Sequence, residues 1–187
     1  EAGLLIQNEF FIWGYKPEWS TDEMKTQFRE WLEDNWNHPS VAIWDACNET
    51  RAAVLGGEII PFARRLDLSN RPWENGYNAP QGPEDPVEDH PYLYVSGAFD
   101  LSRLEWMAGE KTTWNSYHPT DHAAIINEYD WLWLNRDGTP TRLTSKVFEG
   151  LVGKDATADV RRETAAYIAG GLTEFWRAHR NFAGVLH

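Results

Sequence analysis

The stretch His38-Pro39-Ser40-Val41-Ala42-Ile43-Trp44-Asp45-Ala46-Cys47-Asn48-Glu49-Thr50 decides the fold. Five of the six residues over 41–46 are apolar, and Pro39 and Asn48 bound the run. A short apolar run of this kind is typical of a strand that is buried on both faces, as in a parallel sheet. Because the run leads directly into Asn48 and Glu49, we expect an amide and a carboxylate where a buried strand emerges.

A second stretch, Ala123-Ala124-Ile125-Ile126, has the same form and runs into Asn127 and Glu128. The carboxyl ends of parallel strands are where α/β barrels assemble their active sites. One glutamate at a strand end is usually a solvated surface group. Two of them, each preceded by Asn and each after a buried strand, indicate the pair of carboxyl groups that cleaves a glycosidic bond. Glu49 and Glu128 are therefore the candidate catalytic residues.

Strands and helices alternate along the rest of the chain. We predict six strands that begin near residues 3, 41, 73, 92, 123 and 183. We predict helices over 21–35, over 50–66 with a weak point at Gly56-Gly57 and a break at Pro61, and over 159–180. The first helix follows a capping box, with Ser20 as N-cap and Glu23 three residues later. Without hairpin signals, this order predicts the α/β class with parallel strands.

Three further segments carry local predictions. Residues 76–89 are rich in Pro and acidic side chains and are predicted to form a surface loop, whereas residues 135–140 are predicted to form a turn. The last helix is predicted to bury one face, formed by Val160, Thr164, Tyr167, Ile168, Leu172 and Phe175.

Composition limits the partners. A formal net charge of -12 argues against nucleic acid and anionic membranes, which call for clustered Lys and Arg. No apolar run approaches the roughly 18 residues of a membrane span. The 11 Trp residues, of which most are expected in the core, leave candidates for stacking on a carbohydrate substrate. The single cysteine, Cys47, lies in the buried strand and is predicted to be a small core residue instead of a nucleophile.

Other candidate substrate contacts lie at or near predicted strand ends. The first strand, predicted over residues 3–6, passes directly into the polar run Gln7-Asn8-Glu9, and Trp131 follows Glu128 by three residues. The remaining candidates are Trp44, His90, Tyr129 and His187. Because the sequence has no spaced His and Cys cluster, it predicts no metal site and no cofactor.

The segment 37–44, followed by Asn48-Glu49, closely resembles the NHPS…W…NE signature of the catalytic TIM barrel of glycoside hydrolase family 2. That family includes β-galactosidases, β-glucuronidases and β-mannosidases. Residues 3–10 resemble its third barrel strand, and Glu128-Tyr129 resembles its nucleophile strand. The resemblance implies a single partial (β/α)8 barrel over residues 1–187, from about strand three to strand eight, without the first two strands and the last helix.

By this resemblance, Glu49 is the acid/base, Glu128 is the nucleophile and Asn48 contacts the sugar 2-hydroxyl. Tyr129 and Asn127 are available to donate hydrogen bonds to the nucleophile. Asn8 stands where the family often has Asp before the Glu, and Trp131 stands where the magnesium-dependent β-galactosidases have a His. The implied mechanism is retaining, with the two carboxyl groups about 5 to 5.5 Å apart.

Two other functions fit the same residues. A degenerate barrel that binds carbohydrate would keep the aromatic side chains without hydrolysing a glycoside. Another two-glutamate barrel glycosidase, such as a mannanase-like or cellulase-like endo-enzyme, would have an open cleft in place of a pocket. Because a partial barrel leaves open strand edges, the 187-residue chain alone is expected to be unstable or inactive.

Overall fold

The computed structural model describes residues 3–93, 104, 122–180 and 182–186. These residues form two compact units. The first unit contains residues 3–88 with 122–123, and the second contains residues 89–93, 104, 124–180 and 182–186. The single barrel domain over residues 1–187 stays a prediction.

The first unit contains a sheet of three strands in the order β1-β2-β3. The strands are β1 (Ile6–Glu9), β2 (Val41–Asp45) and β3 (Trp73–Glu74). β2 is parallel to both neighbours. Glu9 pairs with Asp45, and Asp45 pairs with Glu74, so the strands end side by side. The predicted α/β class with parallel strands is confirmed, although β1 extends through the polar residues that were expected to follow it.

Helix α1 (Thr21–Asn35) connects β1 to β2 and has the predicted bounds. The Ser20 side chain accepts the Glu23 backbone N–H at 3.4 Å, as a capping box requires. Met24, Phe28 and Leu32 recur at helical spacing and are buried. The Phe28 ring stacks on Phe10 with centroids 4.0 Å apart, so this face joins the helix to the segment after β1.

Trp44 lies in the core of the first unit. Its ring meets Trp31 edge-on at 4.8 Å and lies 6.1 Å from Trp73. Its indole N–H donates to Asp67 at 2.9 Å, which satisfies the polar atom of a fully buried side chain. The proposed stacking of Trp44 on a sugar is therefore wrong, because other protein side chains cover its surface.

The segment after Glu49 is helical in two geometries. A π-helical turn covers Leu55–Ile59 and contains Gly56-Gly57, and α2 (Ile60–Arg64) follows. The change falls next to Pro61, which has no backbone N–H to continue the earlier hydrogen-bond pattern. The predicted helix over 50–66 is shorter than expected, but its weak point and its break lie where the sequence puts them.

The loop predicted over 76–89 is not wholly at the surface. Residues 85–90 are buried, and they include strand β4 (Val87–Asp89). The Asp85 carboxylate accepts a hydrogen bond from Arg64 Nη2 at 2.6 Å and another from the Trp73 backbone N–H at 2.9 Å. A buried carboxylate is tolerated when it is paired in this way, and the partners are too distant in the sequence for composition to indicate them.

The second sheet has the order β4-β5-β6, with β5 (Ala124–Ile126) parallel to β6 (Gly184–Val185). The strands near 123 and 183 are confirmed. The one predicted near 92 lies earlier, at 87–89. Six strands in two three-stranded sheets are described, and the described residues do not form a clear partial barrel.

Two helices belong to the second unit. Helix α3 (Ser145–Val152) was not predicted, and α4 (Ala158–Ala178) has nearly the predicted bounds. The predicted buried face of α4 is partly wrong, because Val160 and Tyr167 are exposed. Ile168 packs on the core, and Tyr167 lies about 100° around the helix from it.

The turn over 135–140 is confirmed, with the Gly138 N–H donating to the Asn135 carbonyl at 2.8 Å. No helix in the described part of the chain is long and apolar enough to cross a membrane.

Candidate functional site

Each candidate glutamate stands just beyond a buried strand, Glu49 after β2 in the first unit and Glu128 after β5 in the second. Both side chains are half-buried. Glu49 has a φ of 47°, a left-handed conformation that is uncommon for residues other than glycine. Such strain persists where the surrounding structure enforces it, often at functional sites.

Two aromatic side chains hold the Glu49 carboxylate. The Trp13 indole N–H donates to Oε2 at 3.2 Å, and the Tyr77 hydroxyl donates to Oε1 at 3.1 Å. Because each donor engages a different oxygen, together they fix the plane of the carboxylate. The sequence interpretation named neither residue.

Backbone contacts position these two donors. The Asn48 N–H donates to the Ile12 carbonyl at 2.8 Å, and the Gly14 N–H donates to Thr50 Oγ1 at 2.8 Å. On the other side, Gly76 has a φ of 51°, and a Cβ there would lie 2.8 Å from Cys47 Sγ. Only glycine fits this close approach, which brings the chain around Tyr77 against the turn that carries Glu49.

Two predicted substrate contacts lie in the same unit. Asn48 is half-buried, and its side-chain Oδ1 has no hydrogen-bond partner among the residues that the structure describes. This oxygen is enclosed, as a buried polar atom next to the candidate acid/base. Glu9 is exposed at the end of β1, where it pairs in register with Asp45.

A buried group of three carboxyls, Asp45, Glu74 and Glu88, lies at the strand ends of the first unit. Carboxylate oxygens of these residues lie within 4.8 Å of one another, a spacing that could hold a metal ion. Gln7 Nε2 donates to Asp45 Oδ2 at 2.7 Å and also donates to Glu74 Oε2. Burial, and next the charge of Glu88, raise the pKa of Asp45 and the pKa of Glu74 well above their usual values. Burial and mutual repulsion therefore favour the protonated form of Asp45 and of Glu74.

Cys47 lies between Asp45 and Glu49 in the sequence and is fully buried. Burial, with a smaller effect from the charge of Asp45, raises the pKa of its thiol far above the usual range. Since the thiolate is the reactive form, this environment supports the prediction of a core residue.

In the second unit, the Glu128 carboxylate accepts a hydrogen bond from the Tyr92 hydroxyl. His90 Nδ1 lies 3.5 Å from the same oxygen, Oε2, and the His90 side chain is buried. His90 thus contacts the candidate nucleophile from within the protein. Tyr92 is a site residue that the sequence interpretation did not name.

Trp131 is half-buried beside these residues. Its ring meets Tyr92 edge-on with centroids 4.8 Å apart and lies 4.5 Å from Trp133. Tyr92 thus contacts both Trp131 and Glu128, and part of the Trp131 surface is accessible.

Tyr129 does not fit its predicted role. Its side chain is buried, and its hydroxyl lies 2.5 Å from Thr173 Oγ1 on helix α4. Tyr92 donates a hydrogen bond to Glu128, and Tyr129 joins the strand end to the core. His187, the remaining predicted contact, lies outside the described residues.

The three site residues that the sequence interpretation did not name have similar positions in the fold. Trp13, Tyr77 and Tyr92 follow the ends of β1, β3 and β4 by four, three and three residues. Aromatic residues shortly after the carboxyl ends of parallel strands are thus a signal that the sequence contains. It becomes useful only when the strand ends are known to within one or two residues.

Comparison of the sequence with family models and with curated proteins finds no match. Comparison of the structure finds bacterial β-glucuronidases. The enzyme of Faecalibacterium prausnitzii has a TM-score of 0.55 and 16% identity, over 89% of this chain and 28% of that chain. The enzyme of Ruminococcus gnavus has a TM-score of 0.51 and 14% identity, over 89% and 28%.

The enzyme of Bifidobacterium dentium, complexed with coumarin-3-O-glucuronide, has a TM-score of 0.50 and 15% identity, over 89% and 27%. At these identities the likeness concerns the fold. This chain has a fold similar to part of these glycosidases and spans about 28% of the length of the first of them.

Proposed function

We propose that the protein is a retaining β-glycosidase in which Glu49 is the acid/base and Glu128 the nucleophile. One observation carries this proposal: each glutamate follows a buried strand, and each carboxylate accepts a hydrogen bond from an aromatic side chain beyond a different strand. The fold likeness to β-glucuronidases supports the same reaction class. Asn48, which precedes Glu49 in the sequence, is the residue that would contact the sugar 2-hydroxyl.

The reaction has two steps. In the first, Glu49 gives its proton to the glycosidic oxygen while a Glu128 oxygen bonds to the anomeric carbon and the leaving group departs. In the second, Glu49 takes a proton from water, whose oxygen displaces Glu128 from the sugar. The Tyr92 hydroxyl and His90 orient the Glu128 carboxylate for attack. Tyr77 and Trp13 orient Glu49 for the proton transfers.

The finer fold proposal is that β1 to β6 are consecutive strands of a (β/α)8 barrel of the glycoside hydrolase family 2 type. A crystal structure of the full-length protein tests it through the distance between the Glu49 and Glu128 carboxyl groups. A retaining enzyme requires about 5 to 5.5 Å, whereas about 6.5 to 9.5 Å would indicate an inverting one.

For the sugar, β-glucuronides are the first candidates, since the structures similar to this chain are β-glucuronidases. The decisive assay is hydrolysis of nitrophenyl β-glucuronide, β-galactoside, β-mannoside and β-glucoside by the full-length protein. We expect turnover of one of these. Glu128→Ala abolishes it, and azide partly restores reaction with a product of inverted configuration. Glu33→Ala, which removes an exposed glutamate from α1, is the matched control and keeps full activity.

The assay also separates the alternatives. Failure of all four glycosides, together with measurable binding of a sugar, would replace this proposal with a carbohydrate-binding protein. Turnover of internal bonds in a polysaccharide, without turnover of the nitrophenyl glycosides, would replace it with an endo-glycanase.

A further inference from the structure

Trp13 is a large apolar side chain that is held in place and yet exposed. Its exposed fraction is 75%, although its indole N–H is bonded to Glu49 Oε2 at 3.2 Å and its backbone forms a bridge to Asn48. An exposed Trp on a free loop would be unremarkable. A Trp fixed from two sides beside a candidate acid/base presents an ordered aromatic surface to solvent.

The neighbouring surface is also apolar. Phe11 is exposed to 78%, Ile12 is buried, and Trp13 is exposed, so the alternation puts two aromatic side chains on the solvent side of this segment. Phe11 and Ile12 also line a cavity of about 230 Å³ together with Trp19 and Met24. A group that binds along this segment therefore meets mainly apolar side chains.

The position of Trp13 relative to Glu49 indicates which part of a substrate it contacts. An acid/base carboxyl stands between the sugar, which it releases, and the leaving group, which it protonates. Of the two residues next to Glu49, Asn48 is half-buried. Trp13 is exposed, so it faces the side from which a leaving group departs to solvent, and it has no polar atom left for sugar hydroxyls once its N–H is bonded to Glu49.

We infer that Trp13 is the platform on which the leaving group of the substrate stacks, and that the enzyme selects glycosides with an aromatic leaving group. This inference rests on the proposed function of Glu49 as acid/base. An aryl ring gains contact with the exposed indole face, whereas a small alkyl group or water does not. Trp13 is thus a residue that determines specificity for the leaving group and leaves recognition of the sugar to other residues.

The test uses the second step of the reaction, where the glycosyl-enzyme partitions between acceptors. An alcohol can replace water: its oxygen bonds to the anomeric carbon, its proton passes to Glu49, and the bond to Glu128 breaks. The full-length protein is supplied with the nitrophenyl glycoside that it hydrolyses, in the presence of phenylethanol or of methanol. The ratio of transfer product to hydrolysis product is measured for each alcohol, and it is independent of the rate at which the glycosyl-enzyme forms.

We expect Trp13→Ala to lower the transfer ratio for phenylethanol by about tenfold, the size of one aromatic contact, and to leave the ratio for methanol unchanged. Trp13→Phe keeps a ring without the N–H and should stay within about threefold of the unaltered protein. Tyr167→Ala, which removes an aromatic side chain exposed to 84% on α4, is the matched control and should change neither ratio.

Two outcomes would overturn the inference, and they differ from each other. An unchanged phenylethanol ratio in Trp13→Ala, or an equal fall with both alcohols, would show that Trp13 does not bind the leaving group, although the protein remains a glycosidase. Mass spectrometry detects the glycosyl-enzyme. If the unaltered protein forms none, the proposed function is overturned, and this inference with it.

Discussion

Glu49 and Glu128 have similarly arranged surroundings, which different residue types form. Each carboxylate accepts a hydrogen bond from an aromatic residue that follows another strand, Tyr77 for Glu49 and Tyr92 for Glu128. In the first unit, the nearby strand ends carry buried carboxyls. In the second, His90 lies beside Glu128, with Nδ1 3.5 Å from Oε2.

This difference teaches how one scaffold can assign two roles to the same residue type. An acid/base and a nucleophile need opposite protonation states at the start of the reaction, and the environment of each carboxyl sets that state. The two glutamates share a Tyr donor and differ in the second contact, which is Trp13 at Glu49 and His90 at Glu128. Substitutions at the two glutamates and at their donors should therefore have different effects.

The largest effect is expected for Glu128→Ala. Without the nucleophile no glycosyl-enzyme forms, so kcat for every aryl glycoside should fall by a factor on the order of a thousand or more. Steady-state hydrolysis by the full-length protein measures this. Loss of less than about tenfold would end the assignment of Glu128 as nucleophile.

Glu49→Ala should differ from Glu128→Ala in its dependence on the leaving group. A dinitrophenyl leaving group departs without a proton, so kcat/KM for that glycoside should change little. For a glycoside with a poor leaving group, such as methanol, kcat/KM should fall by about 10² to 10⁴-fold. An equal loss for good and poor leaving groups would contradict a proton-donor role for Glu49.

Tyr92→Phe tests the donor to the nucleophile. Removal of one hydrogen bond to a charged group should lower kcat/KM by roughly tenfold to a hundredfold. Circular dichroism should show an unchanged fold, since the ring and its contact with Trp131 remain. Tyr129→Phe is the comparison, because its hydroxyl bonds to Thr173 instead, and its kcat/KM should stay within about threefold.

The smallest effect concerns stability and the buried carboxyls. In the unfolded chain Glu74 releases its proton near pH 4, while the folded protein retains that proton to a higher pH, because burial raises its pKa. The free energy of unfolding contributed by Glu74 is thus full below about pH 4 and falls as the pH rises towards the folded pKa.

Glu74→Gln should remove this loss, so the substitution should change the free energy of unfolding more favourably at pH 7.5 than at pH 4. The variant amide oxygen still accepts the Gln7 N–H. Urea unfolding of the full-length protein at the two pH values provides the measurement, with Glu33→Gln as the exposed control. A stability difference that does not depend on pH would exclude a raised pKa at Glu74.

The sequence predicts those parts of the fold whose signals are local. The apolar runs at 41–46 and 123–126 contain β2 and β5, and the Ser20 to Glu23 capping box marks the start of α1. These elements depend on residues within one turn or one strand, which a reader of the sequence can inspect together.

Contacts between distant residues account for what the sequence interpretation missed. Trp13 and Tyr77 lie 36 and 28 residues from Glu49, so nothing local indicates that they meet it. The ion pair of Arg64 with Asp85 buries a segment whose composition is typical of a surface loop. Trp44 was a candidate platform on composition alone, and the rings of Trp31 and Trp73 fill the space around it.

The buried thiol of Cys47 allows local opening of the segment next to Glu49 to be measured by chemical labelling. This chain has one cysteine, fully enclosed and two residues from the candidate acid/base. A thiol reagent reaches it only when the surrounding segment opens, so the labelling rate reports the free energy of that local opening. A ligand that closes the region around Glu49 would slow the labelling, which turns an unreactive core residue into a sensor of occupancy that requires no turnover.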